Sequence, residues 1–175
     1  MKSVALAAVS AAMLLGAGAV TAQQAAAPAN PLDVIPDKMP FAQPYGAPIS
    51  LAKAKAAIAA AEAEATKRGW PMNIAVYDSG ANLVTMVRMD GAQLASIAIS
   101  EHKARVAVKY RRPSKALEAG VQNGLNYLLS LDDVVASRGG IPLVEDGKII
   151  GAIGCSGGTG SQDEAVCLAG AATVK

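Results

Sequence analysis

The stretch GAIGCSGGTGSQDEA, from Gly151 to Ala165, contains the pattern G-x-S-x-G around Ser156. This pattern can form a nucleophile elbow, in which a serine stands on a strained turn between a strand and a helix. Such a serine needs a base, and His102 is the only histidine in the sequence. The histidine precedes the serine, and the strand before Ser156 is predicted to belong to a hairpin. A serine hydrolase is therefore not favoured.

The same stretch can instead bind an anion through its backbone. Gly157, Gly158 and Gly160 let the main chain come close to a ligand at the start of a helix, where N–H groups are free and the dipole is positive. Ser161 and Glu164 fit a capping box and would use some of those donors. Both an anion-binding loop and a purely structural turn stay open.

Charged residues elsewhere offer further ligand contacts. Arg88 and Asp90 bracket the segment RMDGA and share one face of a predicted strand. They are expected to pair with each other or with Lys103, either as a structural salt bridge or as a polar wall of a ligand site. Arg111 and Arg112, in the run KYRRPSK, are either solvated or bind ligand carboxylates.

Composition excludes some classes of partner. The net charge of +2 and the lack of a basic stripe argue against nucleic acid. Only two cysteines are present, Cys155 and Cys167, and the single histidine cannot complete a zinc site with them. Two buried thiols are favoured over a disulfide, although export would permit one.

The first 22 residues read as a secretory signal peptide, with a short basic start, an apolar run too short to span a bilayer and small residues at the cleavage site. Cleavage as late as Ala27 is an alternative. The mature protein is thus expected to be periplasmic or secreted, with no membrane span. Residues 23–48 hold six of the nine prolines and predict an extended or disordered leader. Residues 49–175 form the predicted domain.

The domain's pattern is α-β-β-α-α-β-β-α. Ser50 caps an alanine-rich helix that ends at Gly69, with Leu51, Ala54, Ile58, Ala61 and Ala65 on its apolar face. A hairpin turns at SGA, and a second turns at Asp146-Gly147 with a type I′ signal. The fold class is therefore α/β of the α+β type, with one largely antiparallel sheet built from two hairpins and flanked by helices.

Three segments together resemble the GlcG/HbpS-like haem-binding family: VYDSGANLVTMVRMDGAQLASIAISEHKA, RRPSKALEAG and GGIPLVEDGKIIGAIGCSGGTGSQDEAVCLAGA. The resemblance runs from about Ser50 to Val174. It implies a compact domain, homo-oligomers and binding of a small molecule, with haem as the suspected cofactor. It also implies a role in redox sensing or haem handling.

The resemblance carries over unevenly to single residues. The family's S-x-x-K-A-x-T-A motif is matched at Lys103 and Ala104, whereas its threonine is replaced by Val106. His102 is the candidate haem iron ligand, and its alternative is a solvent-exposed position. The candidate ligand-binding residues are Arg88, Asp90, Lys103, Arg111, Arg112, Ser156, Gly157, Gly158, Gln162 and Asp163.

Two other functions remain open at this point. One is an enzyme or binding protein for a small organic acid, with Arg88 and Lys103 at its site, although no spacing demands catalysis. A third possibility is that the chain binds no ligand and the homo-oligomer is itself the function.

Overall fold

The computed structural model describes residues 35–39 and 41–175. The predicted signal peptide and the first part of the leader lie outside these residues. The chain divides into two units, Met1–Asp37 and Lys38–Lys175, and the second contains all the regular structure described below.

Within the described residues, four α-helices and four strands follow in the predicted order, and a short 3-10 helix that was not predicted lies between the third α-helix and the third strand. They are α1 (Leu51–Arg68), β1 (Asn73–Asp78), β2 (Leu83–Arg88), α2 (Ala95–Lys109), α3 (Ser114–Gln122), the 3-10 helix (Asn126–Ser130), β3 (Gly140–Glu145), β4 (Lys148–Ser156) and α4 (Gly160–Ala171). The strands form one sheet in the order β2-β1-β4-β3, and every neighbouring pair is antiparallel. The predicted α+β class with a sheet of two hairpins is confirmed.

Helices cover both faces of the sheet. Successive residues of a strand point to opposite faces, and Ile74 packs into the cluster that contains α1 and α4. Its neighbour Ala75 packs with Ala104 of α2 on the other face. The sheet is therefore the middle of three layers.

Local sequence rules explain the ends of α1 and the second hairpin. Ser50 Oγ accepts a hydrogen bond from Lys53 N at 3.3 Å, and Gly69 ends the helix with φ of 67°. The turn residues Asp146 and Gly147 have φ of 48° and 71°, as a type I′ turn requires. One detail of the prediction is wrong: Leu51 is 51% exposed, because α1 contacts the core only from Ala54 onward.

Two glycines let α2 lie directly on the sheet. A Cβ at Gly140 would stand 2.1 Å from the backbone oxygen of Lys103, and one at Gly154 would stand 2.0 Å from that of Ser100. Only hydrogen fits at these positions. The close approach fixes α2 over the start of β3 and the last part of β4, which places the side chain of Lys103 near the start of α4.

Residues 44–49 run along the first half of β4. Gly46 N donates to Ile149 O, Ile149 N donates to Pro44 O, and Ile49 N donates to Ile150 O, each at 2.8 Å. β1 pairs with β4 only from Gly151 onward. The last part of the leader therefore extends the sheet beside β4 where β1 has ended.

Cys155 and Cys167 are joined by a disulfide, so the preference for two free thiols is wrong. Cys155 lies on β4, and Cys167 lies on α4, which folds back over the same face of the sheet. Their Cα atoms are 5.6 Å apart, within the usual range for a disulfide. The sequence spacing alone did not show how closely α4 returns to β4.

Candidate functional site

Lys103 and Asp163 form a buried ion pair at the centre of the predicted site. Lys103 Nζ lies 2.6 Å from Asp163 Oδ2, and the two side chains are 1% and 3% exposed. The ammonium also donates to Cys155 O at 3.3 Å. Neither charged group is accessible to a ligand from solvent.

The glycine-rich loop binds an anion, and that anion is the protein's own carboxylate. Gly157 N and Gly158 N each donate to Asp163 Oδ1 at 3.0 Å. Asp163 thus accepts from the loop with one oxygen and from Lys103 with the other. The loop's donors are used internally, which favours the structural interpretation of this stretch.

The capping box at the start of α4 lies two residues earlier than predicted. Thr159 is the N-cap, and Gln162 reaches back so that its Oε1 accepts from Thr159 N at 2.8 Å. Ser161 is exposed in the first turn rather than capping. Gln162 therefore has a helix-capping role. Ser156 is buried and donates to Ser96 Oγ at 3.1 Å, so it has no base beside it.

A second charged cluster covers the buried pair. Arg138 Nε and a terminal nitrogen donate to Glu118 Oε1 at 2.8 and 2.6 Å, and Arg138 N donates to Glu118 Oε2 at 2.7 Å. These bonds lower the pKa of Glu118 and raise the pKa of Arg138. Glu164, which was predicted to complete the capping box, instead forms an ion pair with Lys115 at 3.1 Å.

Arg111 and Arg112 contact the leader rather than a ligand cavity. The Arg112 guanidinium lies 3.7 Å from the ring centroid of Phe41, and Arg111 donates to Gln43 O at 3.4 Å. Burial is the main cause that lowers the pKa of Arg112. Tyr45 Oη donates to Val108 O at 2.9 Å in the same region. These two arginines hold residues 41–45 on the domain.

Arg88 and Asp90 do not form the predicted pair. Both are exposed, and neither makes a salt bridge with any described residue. Lys103 is engaged by Asp163 instead. Asp90 lines a cavity with Trp70 and Met89 on the α1 side of the sheet, so the polar wall expected from Arg88, Asp90 and Lys103 is not assembled.

His102 lies on the outer side of α2, facing away from the sheet. It shares one helix face with Ala98 and Leu94, four and eight residues before it; Ala98 is exposed, and Leu94 is 71% exposed. We call these three residues the outer stripe. His102 is half-buried and forms no hydrogen bond to the described part of the chain. A neutral imidazole with free ring nitrogens can bind a transition metal.

Arg105 was missed as a site residue from the sequence. It lies one turn after His102, and its Nε is buried without a partner among the described residues. Its terminal nitrogens reach Tyr77 Oη at 3.4 Å and Asp133 at 3.5 Å. Burial is the main cause that raises the pKa of Tyr77, which keeps the phenol neutral. An arginine three residues after a histidine on a helix was the available signal.

Across residues 35–39 and 41–175, no group of three or more histidine, cysteine or acidic side chains is arranged to hold a metal ion. No helix in this range is long and apolar enough to cross a membrane.

The fold defines a class of small α+β domains with helices on both faces of one antiparallel sheet. The family model described as "Haem degrading protein HbpS-like" matches residues 49–172. The chain belongs to this HbpS-like family.

Two relatives support the assignment. Protein GlcG of Escherichia coli K12 is 42% identical over 108 residues, which is 62% of this chain and 81% of that protein. An uncharacterised 15.0 kDa protein from the dhaT-dhaS intergenic region of Citrobacter freundii is 40% identical and covers 67% of this chain and 85% of its own length.

Solved structures show the same fold. A double mutant of Streptomyces reticuli HbpS is 27% identical with a TM-score of 0.70, and the match covers 85% of this chain and 99% of that one. A complex of PduOC with haem is 26% identical with a TM-score of 0.67, covering 73% of this chain and 96% of that one.

Proposed function

We propose that this protein binds haem on the outer side of α2, with His102 as the iron ligand. The observation that carries the proposal is the position of His102, which is half-buried, free of hydrogen bonds to described residues and in line with Ala98 and Leu94. The haem complex of the related PduOC supports the choice of ligand.

The described residues fit haem on this face. Haem needs an apolar surface, an axial ligand and cations or donors for its propionates. The outer stripe supplies the first two. Arg105 and Lys109 lie one and two turns further along α2, where both are ion-paired with Asp133. Binding of the propionates would therefore replace these two ion pairs. These residues replace Arg111 and Arg112 as candidates for the propionates. Haem bound here would supply a redox-active iron.

Tyr77 is a weaker candidate for the iron ligand. A tyrosine ligates haem iron as the phenolate, and burial raises the pKa of the Tyr77 phenol. The ring is also only 4% exposed beneath α2. His102 can ligate iron through a ring nitrogen of the neutral imidazole, and it lies on the outward side of α2.

The outer stripe offers only one wall, because it is an exposed helix face. A flat tetrapyrrole is held well only when both of its faces are covered. We therefore include in the proposal a homo-oligomer in which a second copy supplies the other wall. Sedimentation with and without haemin measures this, and a monomer in both conditions would contradict the oligomer.

Export is also part of the proposal. The signal-like first 22 residues and the Cys155–Cys167 disulfide both suit an oxidising compartment outside the cytoplasm. The full chain made in a bacterium with a periplasm is expected to start at Gln23 or Pro28 when its mass is measured. An uncleaved chain that stays in the cytoplasm would contradict export.

Haem binding would allow a role in haem handling or redox sensing, and haem degradation would require binding first. The organic-acid alternative has less support. Lys103 is buried in its ion pair with Asp163, and the cavity beside Asp90 is lined by carboxylates, which repel an organic anion. We therefore propose binding as the function and assign no catalytic residue.

A haemin titration followed by absorbance tests the proposal. The wild type is expected to give a saturable Soret shift at no more than one haem per subunit, and His102→Ala is expected to weaken it at least about tenfold, the loss of one axial bond. Gln122→Ala, an exposed change on α3, is the matched control. The absence of a saturable shift would overturn haem binding. An unchanged shift in His102→Ala would overturn the assignment of His102 as the iron ligand.

A further inference from the structure

A separate cavity lies between the last turns of α1 and the turn that follows β2. Its volume is about 380 Å³. The lining residues are Glu62, Thr66, Gly69, Trp70, Pro71, Met89 and Asp90. It is on the α1 side of the sheet, whereas His102 is on the outer side of α2. The cavity and the outer stripe are therefore different places on the domain.

The charged groups that line this cavity are both carboxylates. Neither Glu62 nor Asp90 is hydrogen-bonded or ion-paired to another described residue. The C-terminal end of α1 adds the negative end of a helix dipole. A cation inside the cavity would thus gain from both side chains and from the helix end.

Two further cavities differ in this respect. One contains the pair Lys53 and Glu145, and the other contains the pair Lys109 and Asp132, so each holds its own countercharge. The cavity beside Trp70 has no basic lining residue. The nearest described cation, Arg68 over the Trp70 ring, is paired with Glu64 and does not reach either lining carboxylate.

The remaining wall is apolar and aromatic. Trp70 and Met89 are half-buried against the core, and Pro71 lies between them and the rim. The Arg68 guanidinium already lies 4.9 Å from the Trp70 ring centroid, held by its ion pair with Glu64. Indole rings attract cations through their faces, and methionine adapts its shape to apolar groups.

We propose that this cavity binds a small organic cation, an ammonium group carried on an apolar body. The ammonium lies between Glu62 and Asp90, and the apolar body lies against Trp70 and Met89. The two propionates of haem are anionic, so the same cavity disfavours haem. This site adds to the proposed haem binding and does not depend on it.

Benzylammonium is a suitable probe, because Trp70 is the only tryptophan in the sequence and reports on this cavity alone. The full mature chain is expected to show a saturable change in tryptophan fluorescence with benzylammonium. Benzyl alcohol, which has the same ring and no charge, is expected to bind at least about tenfold more weakly.

Variants separate this site from the rest of the protein. Glu62→Gln with Asp90→Asn is expected to lose about tenfold in benzylammonium affinity. Asp146→Asn, which changes an exposed acid in the second hairpin, is the control and should leave the affinity unchanged. No saturable change with benzylammonium, equal binding of benzyl alcohol, or full affinity in the double variant would each overturn the proposal. The haemin titration is expected to be unaffected by the double variant.

Discussion

Lys103 and Asp163 form a buried ion pair that joins the helix layers on opposite faces of the sheet. Lys103 belongs to α2 and Asp163 to the first turn of α4, and their charged atoms lie 2.6 Å apart. The glycine-rich loop donates two backbone hydrogen bonds to the same carboxylate. The glycine-rich loop, which suggested a site for an external anion, therefore stabilises the fold instead.

Removing one partner of this pair is expected to destabilise the protein strongly. Lys103→Met leaves a buried carboxylate without its cation, which typically costs about 3–5 kcal/mol of unfolding free energy. Urea unfolding measures the loss. Lys53→Met, which breaks the exposed pair with Glu145, is the control and is expected to cost about 1 kcal/mol or less. Adding Asp163→Asn to Lys103→Met is expected to recover part of the stability. Equal losses in the two lysine variants would contradict this account.

Acid is expected to weaken the fold through Glu118. Its hydrogen bonds from Arg138 hold the pKa below the ordinary value of 4.5. The carboxylate therefore stabilises the fold fully above pH 4.5, and this contribution is lost as the pH falls through the lower pKa of the folded state. Unfolding free energies measured from pH 6 down to pH 3 are expected to fall less steeply in Glu118→Gln. Ala119→Ser, an exposed change on the same helix, keeps the carboxyl and should retain the wild-type slope. A wild-type slope in Glu118→Gln would refute the assignment.

The disulfide is expected to stabilise the packing of α4 on the sheet. It closes a loop of 12 residues between Cys155 and Cys167, and a loop of this size is typically worth about 2–4 kcal/mol. Replacing both cysteines with alanine should lower the unfolding free energy by this amount, and the urea midpoint should fall below that of the oxidised wild type. Leu168→Ala, on the exposed side of α4, serves as the control and should change little. An unchanged midpoint in the double variant would show that the disulfide adds nothing.

The last part of the leader is expected to belong to the folded domain. A chain that begins at residue 41 keeps the Tyr45 hydrogen bonds and the main-chain bonds to β4, whereas a chain that begins at residue 49 loses most of them. The shorter chain should unfold at a clearly lower temperature. Tyr45→Phe in the longer chain removes only the hydroxyl, which typically costs about 1 kcal/mol. Equal melting temperatures of the two truncated chains would argue against this docking.

Local rules predicted the elements well. Ser50 and Gly69 delimit α1 through capping chemistry, and Asp146-Gly147 forms the hairpin turn that its dipeptide favours. These signals act within a few residues, so one sequence contains them in full. The error at the start of α4, where Thr159 caps in place of Ser161, arose because several neighbouring residues can cap a helix.

Contacts between distant residues could not be predicted in the same way. The sequence predicted Asp163 to bind a ligand, because its actual partner Lys103 is 60 residues away. The contact between these two residues depends on how closely α2 lies on Gly140 and Gly154. Arg111 and Arg112 contact the leader, about 70 residues earlier in the chain. The disulfide could not be predicted either, because it depends on how closely α4 returns to β4. The fold class needed only local pattern, and the choice of His102 as a candidate ligand rests on residue type and remains a prediction.

The central claim is that His102 ligates haem iron, and the single histidine makes it directly measurable. Tag-free protein labelled with ¹⁵N-histidine carries the label at this residue alone. Pulsed electron paramagnetic resonance of its ferric haem complex is predicted to show hyperfine coupling between the iron and ¹⁵N, at a strength typical of a directly bound ring nitrogen. A haem complex without such coupling would contradict the claim and move the iron ligand elsewhere on the chain.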